Sequence, residues 1–184
     1  MLFWIQDNYG DRLMKATSIT FSKPDIKTVV YDLIAVSIVT LTPALSHTLS
    51  IPIYYFDPMR IILLLSVLYT SRANSYLLTL VLPIFSFIIS EHPVLLKSWL
   101  ISSELTLNIF LFFYLTRKIN NTFAAVLLSI IISKIYYYTL KFSFVSMGLI
   151  DGEIFSTPVI YQVIVFLALT LVIGYFFKKK KIAD

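Results

Sequence analysis

From residue 28 to residue 177 the chain is a succession of apolar stretches, at about 28–49, 59–71, 73–90, 98–116, 122–141 and 158–177, broken only by short polar punctuation. Most approach the roughly 20 residues that a helix needs to cross a bilayer. In lipid every backbone polar group must be satisfied within the protein, which leaves helical bundles and closed barrels as the spanning structures. A barrel would show alternating segments of about ten residues, and none is found. The chain therefore reads as an all-α polytopic membrane protein with six transmembrane helices in a single membrane domain over 28–177. Its second segment is short and separated from the third only by "SRANS", so the pair is either a tight hairpin or one irregular, partly re-entrant unit. Composition agrees: 58% of residues are hydrophobic and mean hydropathy is +0.85, against roughly 45–50% apolar in ordinary soluble domains.

The formal net charge of +5 would suit nucleic acid, but the basic residues sit at the ends of apolar segments and report topology instead. Six helices place Arg12, Lys15, Lys23, Lys27, Arg72, Arg117, Lys118 and Lys178 to Lys181 on one side, eleven basic residues in all. The opposite loops hold only Arg60, Lys97 and Lys141, with Asp57, Glu91, Asp151 and Glu153. Cytoplasmic loops carry the Lys and Arg excess, so both termini are expected in the cytoplasm of a multi-pass plasma-membrane protein, with residues 178–184 as a basic tail. Residues 1–27 lack the pattern of a cleaved signal peptide and are expected to be retained. Leu2, Phe3, Trp4, Ile5, Leu13 and Met14 suit either an interfacial amphipathic piece or a disordered tail. There is no cysteine, which excludes disulfides and thiol chemistry.

Polar groups inside such segments are expensive and usually face a partner, a cavity or a ligand. Glu104 lies about 9 Å below the start of the fourth helix at about 1.5 Å per residue, with Asn108 one turn deeper on the same face. On the fifth helix, Lys134 lies about 10 Å below Lys141, and Lys134, Tyr137, Tyr138 and Lys141 form one stripe. Gln162 adds an amide one turn into the sixth helix. These groups are expected to converge below the outer surface, either around a solute or as a structural Glu104–Lys134 ion pair with nothing bound. The outer loops, with His47, Arg60 and His92, are expected to gate such a cavity. Two isolated histidines lack the spacing of a metal site, and neither a metal nor a cofactor is expected. No catalytic motif or phosphate-binding loop is present, so the chain is not expected to be an enzyme or to hydrolyse ATP itself.

The stretches "HPVLLKSWLISSELTLN" and "SKIYYYTLK", with the short second helix and the Pro-rich, aromatic first outer loop, resemble the substrate-binding (S) components of energy-coupling factor transporters over about residues 28–177. The resemblance implies a six-helix bundle that captures a vitamin or similar micronutrient from outside. It also implies partners, a transmembrane coupling protein and cytoplasmic ATPases, and transport by toppling of the binding unit in the bilayer. Many members dock through Ala-x-x-x-Ala motifs on the first helix; the nearest counterpart here is Thr40-x-x-x-Ala44, with Thr42-x-x-x-Ser46 beside it and a competing small-residue face at Ala125, Ser129 and Ser133. Two other readings remain. One is a non-transport membrane scaffold or morphogenesis protein that uses these polar groups for partner contacts; the other is an intramembrane enzyme using Glu104 or His92 as a base.

Overall fold

A computed structural model of the chain describes residues 25–50, 52–91, 93–151, 155 and 157–183, the last six of these by their backbone alone. The N-terminal segment up to residue 24 thus lies outside the described residues, as do His92 and Glu153. The elements are α1 (Ile26–Leu49), a short 3-10 turn (Ile53–Phe56), α2 (Pro58–Tyr69), α3 (Arg72–Ser90), α4 (Leu95–Lys118), α5 (Thr122–Ser146) and α6 (Val159–Ala183). All but α2 are long and apolar enough to cross a membrane. The chain is an all-α, multi-pass membrane protein with one short helix, and no strand occurs among the described residues.

Local chemistry explains where the helices stop. Pro58 opens α2 at its first position, where a missing N–H costs nothing. Thr70 is extended and ends α2, and Ser71 caps α3 by accepting from the Asn74 N–H at 3.2 Å. Most of "SRANS" is therefore the first turn of α3, and α2 and α3 form a tight hairpin rather than a re-entrant unit. The sequence boundary for the fifth helix needs correction. Nothing after Lys141 breaks a helix until Gly148, whose φ of 69° suits glycine. There the Gly148 N–H donates to Val145 O at 3.0 Å and the Leu149 N–H to Phe144 O at 2.9 Å, closing α5 at Ser146. Lys141 is consequently not at a helix mouth but more than a turn inside. The lysines after Phe177 continue α6 through Ala183, since Lys is a good helix former.

The long helices pack in the order α1, α3, α4, α5, α6, and α2 touches α1, α3, α4 and α6 from the middle. Half of its twelve residues are buried, among them Leu63 and Leu64. Small residues bring it close to α3, where Ser66 Oγ bonds Ser75 Oγ at 2.9 Å. The face of α5 carrying Ala125, Ser129 and Ser133 is wholly buried, and Ser133 Oγ accepts from Asn108 Nδ2 of α4 at 3.2 Å. That face is spent inside the molecule and offers no docking surface. Gly174 of α6 lets the Phe123 ring approach, since a Cβ there would fall 2.6 Å from the ring. By contrast α1 leaves Leu33, Ile34, Leu41 and Leu45 exposed.

Candidate functional site

The short central helix creates the site. At about 1.5 Å per residue α2 is about 18 Å long, whereas α1 is about 36 Å. Tyr69 at the end of α2 stacks on Tyr31, in the second turn of α1, with centroids 6.2 Å apart. The other end of α2 therefore stops well short of the end of α1, and the long helices enclose a recess above it. The connection from α1 to α2 folds over that recess. Its Ile53 N–H donates to Ser46 Oγ of α1 at 3.2 Å, and Tyr55 and Phe56 lie against the Tyr161 ring of α6 at 5.6 and 6.5 Å. What remains is a cavity of about 420 Å³, within the roughly 300–1,000 Å³ of small-molecule sites. Its apolar wall includes Val39 and Pro43 of α1 and Ile101 and Leu105 of α4, and its aromatic wall is Tyr54, Tyr55, Tyr137 and Tyr138.

Four charges meet at the site, at the N-terminal end of α2. Arg60 is ion-paired with Glu104, and its Nε lies 3.0 Å from Asp57 Oδ2. Lys134 Nζ lies 3.2 Å from Glu104 Oε1 and 3.5 Å from Asp57 Oδ2. Each cation thus serves both carboxylates, and the set is formally neutral. Side-chain exposure grades from 0% at Arg60 and 3% at Glu104 to 17% at Lys134 and 28% at Asp57. Arg60 Nη1 has no hydrogen-bond partner among the described residues; the Phe166 ring, 5.2 Å from Cζ, covers the guanidinium instead. Lys134 Nζ also faces rings, at 5.0 Å from Tyr137, 5.9 Å from Tyr138 and 6.0 Å from Phe166.

One wall is fixed by a relay of hydrogen bonds. Tyr138 Oη donates to Gln162 Oε1 at 2.8 Å, and Gln162 Nε2 donates to the Thr157 carbonyl at 2.9 Å. With both ends of its amide committed, Gln162 orients Tyr138. The structure brings Glu104, Lys134, Tyr137, Tyr138, Lys141 and Gln162 around the cavity. It places Asn108 deeper, between α4 and α5, bonded to Ser133 and away from the cavity lining. His47 is exposed on the last turn of α1 and does not line the cavity. Arg60 is corrected from gating loop to first turn of α2, because Pro58 starts the helix two residues before it and the surrounding helices bury it. Thr40 is half-buried and bonds back to the Val36 carbonyl, and Ala44 is exposed.

The residues missed by sequence reasoning are Phe166 and, above all, Asp57 as a partner of Lys134. A usable signal did exist: in "DPMR" an arginine falls in the first turn of an apolar helix that a proline opens, three residues after an aspartate. Fold and site together define an α-helical membrane bundle with a partly polar cavity that the connection between α1 and α2 partly covers. No protein-family model, curated protein or solved structure matches the chain.

Proposed function

We propose that this protein is a membrane-embedded solute-binding subunit, of the kind the resemblance to S components implies, which captures a vitamin-like micronutrient at the outer face. The observation that carries this reading is the cavity itself, about 420 Å³ beneath a lid and lined by both charged groups and tyrosines. Buried ion pairs are seldom net stabilising, so assembling four charges next to an open space suits recognition better than mere support. In this reading the cavity end of the bundle faces outward, both termini are cytoplasmic in the plasma membrane, and a coupling protein and cytoplasmic ATPases supply the energy. The exposed face of α1 around Thr40 and Ala44 is the docking surface. The protein itself catalyses nothing.

The test is native mass spectrometry of protein purified gently in detergent or nanodiscs. A small molecule is expected to co-purify and to be lost on Tyr138→Ala. Uptake of that molecule in cells is expected to require separate ATPase subunits. Equilibration of the solute across liposomes by the isolated chain would replace this reading with a facilitator. A clean mass with no adduct, together with partner-dependent effects on cell shape, would favour the scaffold.

A further inference from the structure

We infer that the cavity recognises an organic cation, a protonated amine or quaternary ammonium on an apolar or aromatic body, and that Lys134 is the stand-in which such a solute displaces. This deepens the solute-binding reading and rests on it. The Lys134 ammonium already sits in the kind of cage that recognises cations, with two carboxylates at 3.2 and 3.5 Å and the Tyr137 ring at 5.0 Å. Ring faces carry the negative end of the aromatic quadrupole and attract ammonium groups. The cage borders the open cavity, because Asp57, Glu104, Lys134 and Tyr137 all line it.

The choice of cation over anion follows from which member of the network can leave. A solute anion would have to take the place of Asp57 or Glu104. The Asp57 carboxylate is one methylene from a backbone held at the start of α2, and Glu104 is buried mid-helix. A solute cation has only to take the place of Lys134, whose ammonium ends a flexible four-carbon stem with three rotatable donors. When Lys134 swings out, two carboxylates and Arg60 remain, one negative charge in excess and matched by one ammonium. The other cations offer an anion less: Arg60 has no exposed surface, and Lys141, although it lines the cavity, is itself buried and already has an interaction. The tyrosine faces that border the cage, negative at their centres, disfavour an anion further.

The experiment is calorimetry on full-length protein in nanodiscs, with phenethylammonium and benzyltrimethylammonium chloride as cationic probes and 3-phenylpropionate as the anionic one. The wild-type protein is expected to bind a cationic probe and not the anion. Lys134→Met, which empties the cage, is expected to tighten the cation at least tenfold. Asp57→Asn is expected to weaken it at least tenfold while the protein still folds, because Asn is among the few residues that accept a φ of 52°. That second variant keeps the test decisive if Lys134→Met is poorly folded. Preference for the anion, or weaker cation binding in folded Lys134→Met, overturns the inference and leaves the solute-binding reading standing. Failure of both cationic probes also overturns it, while the solute-binding reading falls only if native mass spectrometry finds no adduct either.

Discussion

Arg60 is fully buried between two carboxylates, so its removal leaves the buried Glu104 carboxylate with Lys134 as the remaining cation of the four-charge set. Breaking a buried pair from one side costs about 3–5 kcal/mol. Arg60→Met is therefore expected to lower unfolding stability in detergent by about that amount, and Lys134→Met by clearly less, because Lys134 is partly exposed. A double-mutant cycle should find stronger coupling of Glu104 to Arg60 than to Lys134; equal or absent coupling would remove Arg60 from the centre of the network. Asn108 and Gln162 were equivalent candidates in the sequence and are not equivalent in the structure. Asn108→Leu gives up one bond to Ser133 and an unpartnered Oδ1, so solute affinity is expected to be unchanged. Gln162→Leu releases Tyr138 and is expected to weaken binding by about 1–3 kcal/mol, the range for an unpaired buried polar group. Equal effects of the two substitutions on affinity would place Asn108 at the ligand after all.

At the level of the helix, the informative residues are the terminators. Pro58, Ser71 and Gly148 mark real ends, and each can be read from its chemistry. A lysine in an apolar run looks like an interface, so the sequence ends the fifth segment at Lys141, whereas the helix continues for another five residues. Gly148 is what stops it, and its left-handed backbone gives a direct test. Gly148→Ala is expected to destabilise the protein by about 1–2 kcal/mol, the approximate cost of that conformation for an L-residue, and Gly148→Asn by less. No loss in Gly148→Ala, measured by thermal unfolding, would mean that the end of α5 is set elsewhere.

For the whole molecule, the short α2 together with the connection before it returns the chain from the end of α1 to beside its start, where Tyr69 stacks on Tyr31 and α3 begins. Reporters fused after Phe177 and within 150–156 are expected on opposite sides of the membrane, with the former cytoplasmic. Matching sides would remove the six-helix topology. The same architecture predicts that disturbing the lid affects binding more than folding. Ser46→Val removes its hydrogen bond to the turn without touching the four charges, so it should speed solute release with little change in unfolding temperature. An unchanged dissociation rate would mean that the lid is not the barrier.

By itself the sequence determined that this is a helical membrane protein, roughly where each helix lies, and that Glu104 and Lys134 must meet something. Those facts are local: a twenty-residue apolar run has few structures open to it in lipid, and a charge within one needs a partner. Only the tertiary structure decided which partners. The depth of a residue along its helix can be counted, but its azimuth depends on which faces pack, and that turned Asn108 and Ser133 toward each other and away from the cavity. Placing a twelve-residue helix at the centre of the bundle also lies outside any single segment, because it requires contacts from four others at once. From that placement come both the empty volume above α2 and the meeting of Asp57, Arg60, Glu104 and Lys134 at its end.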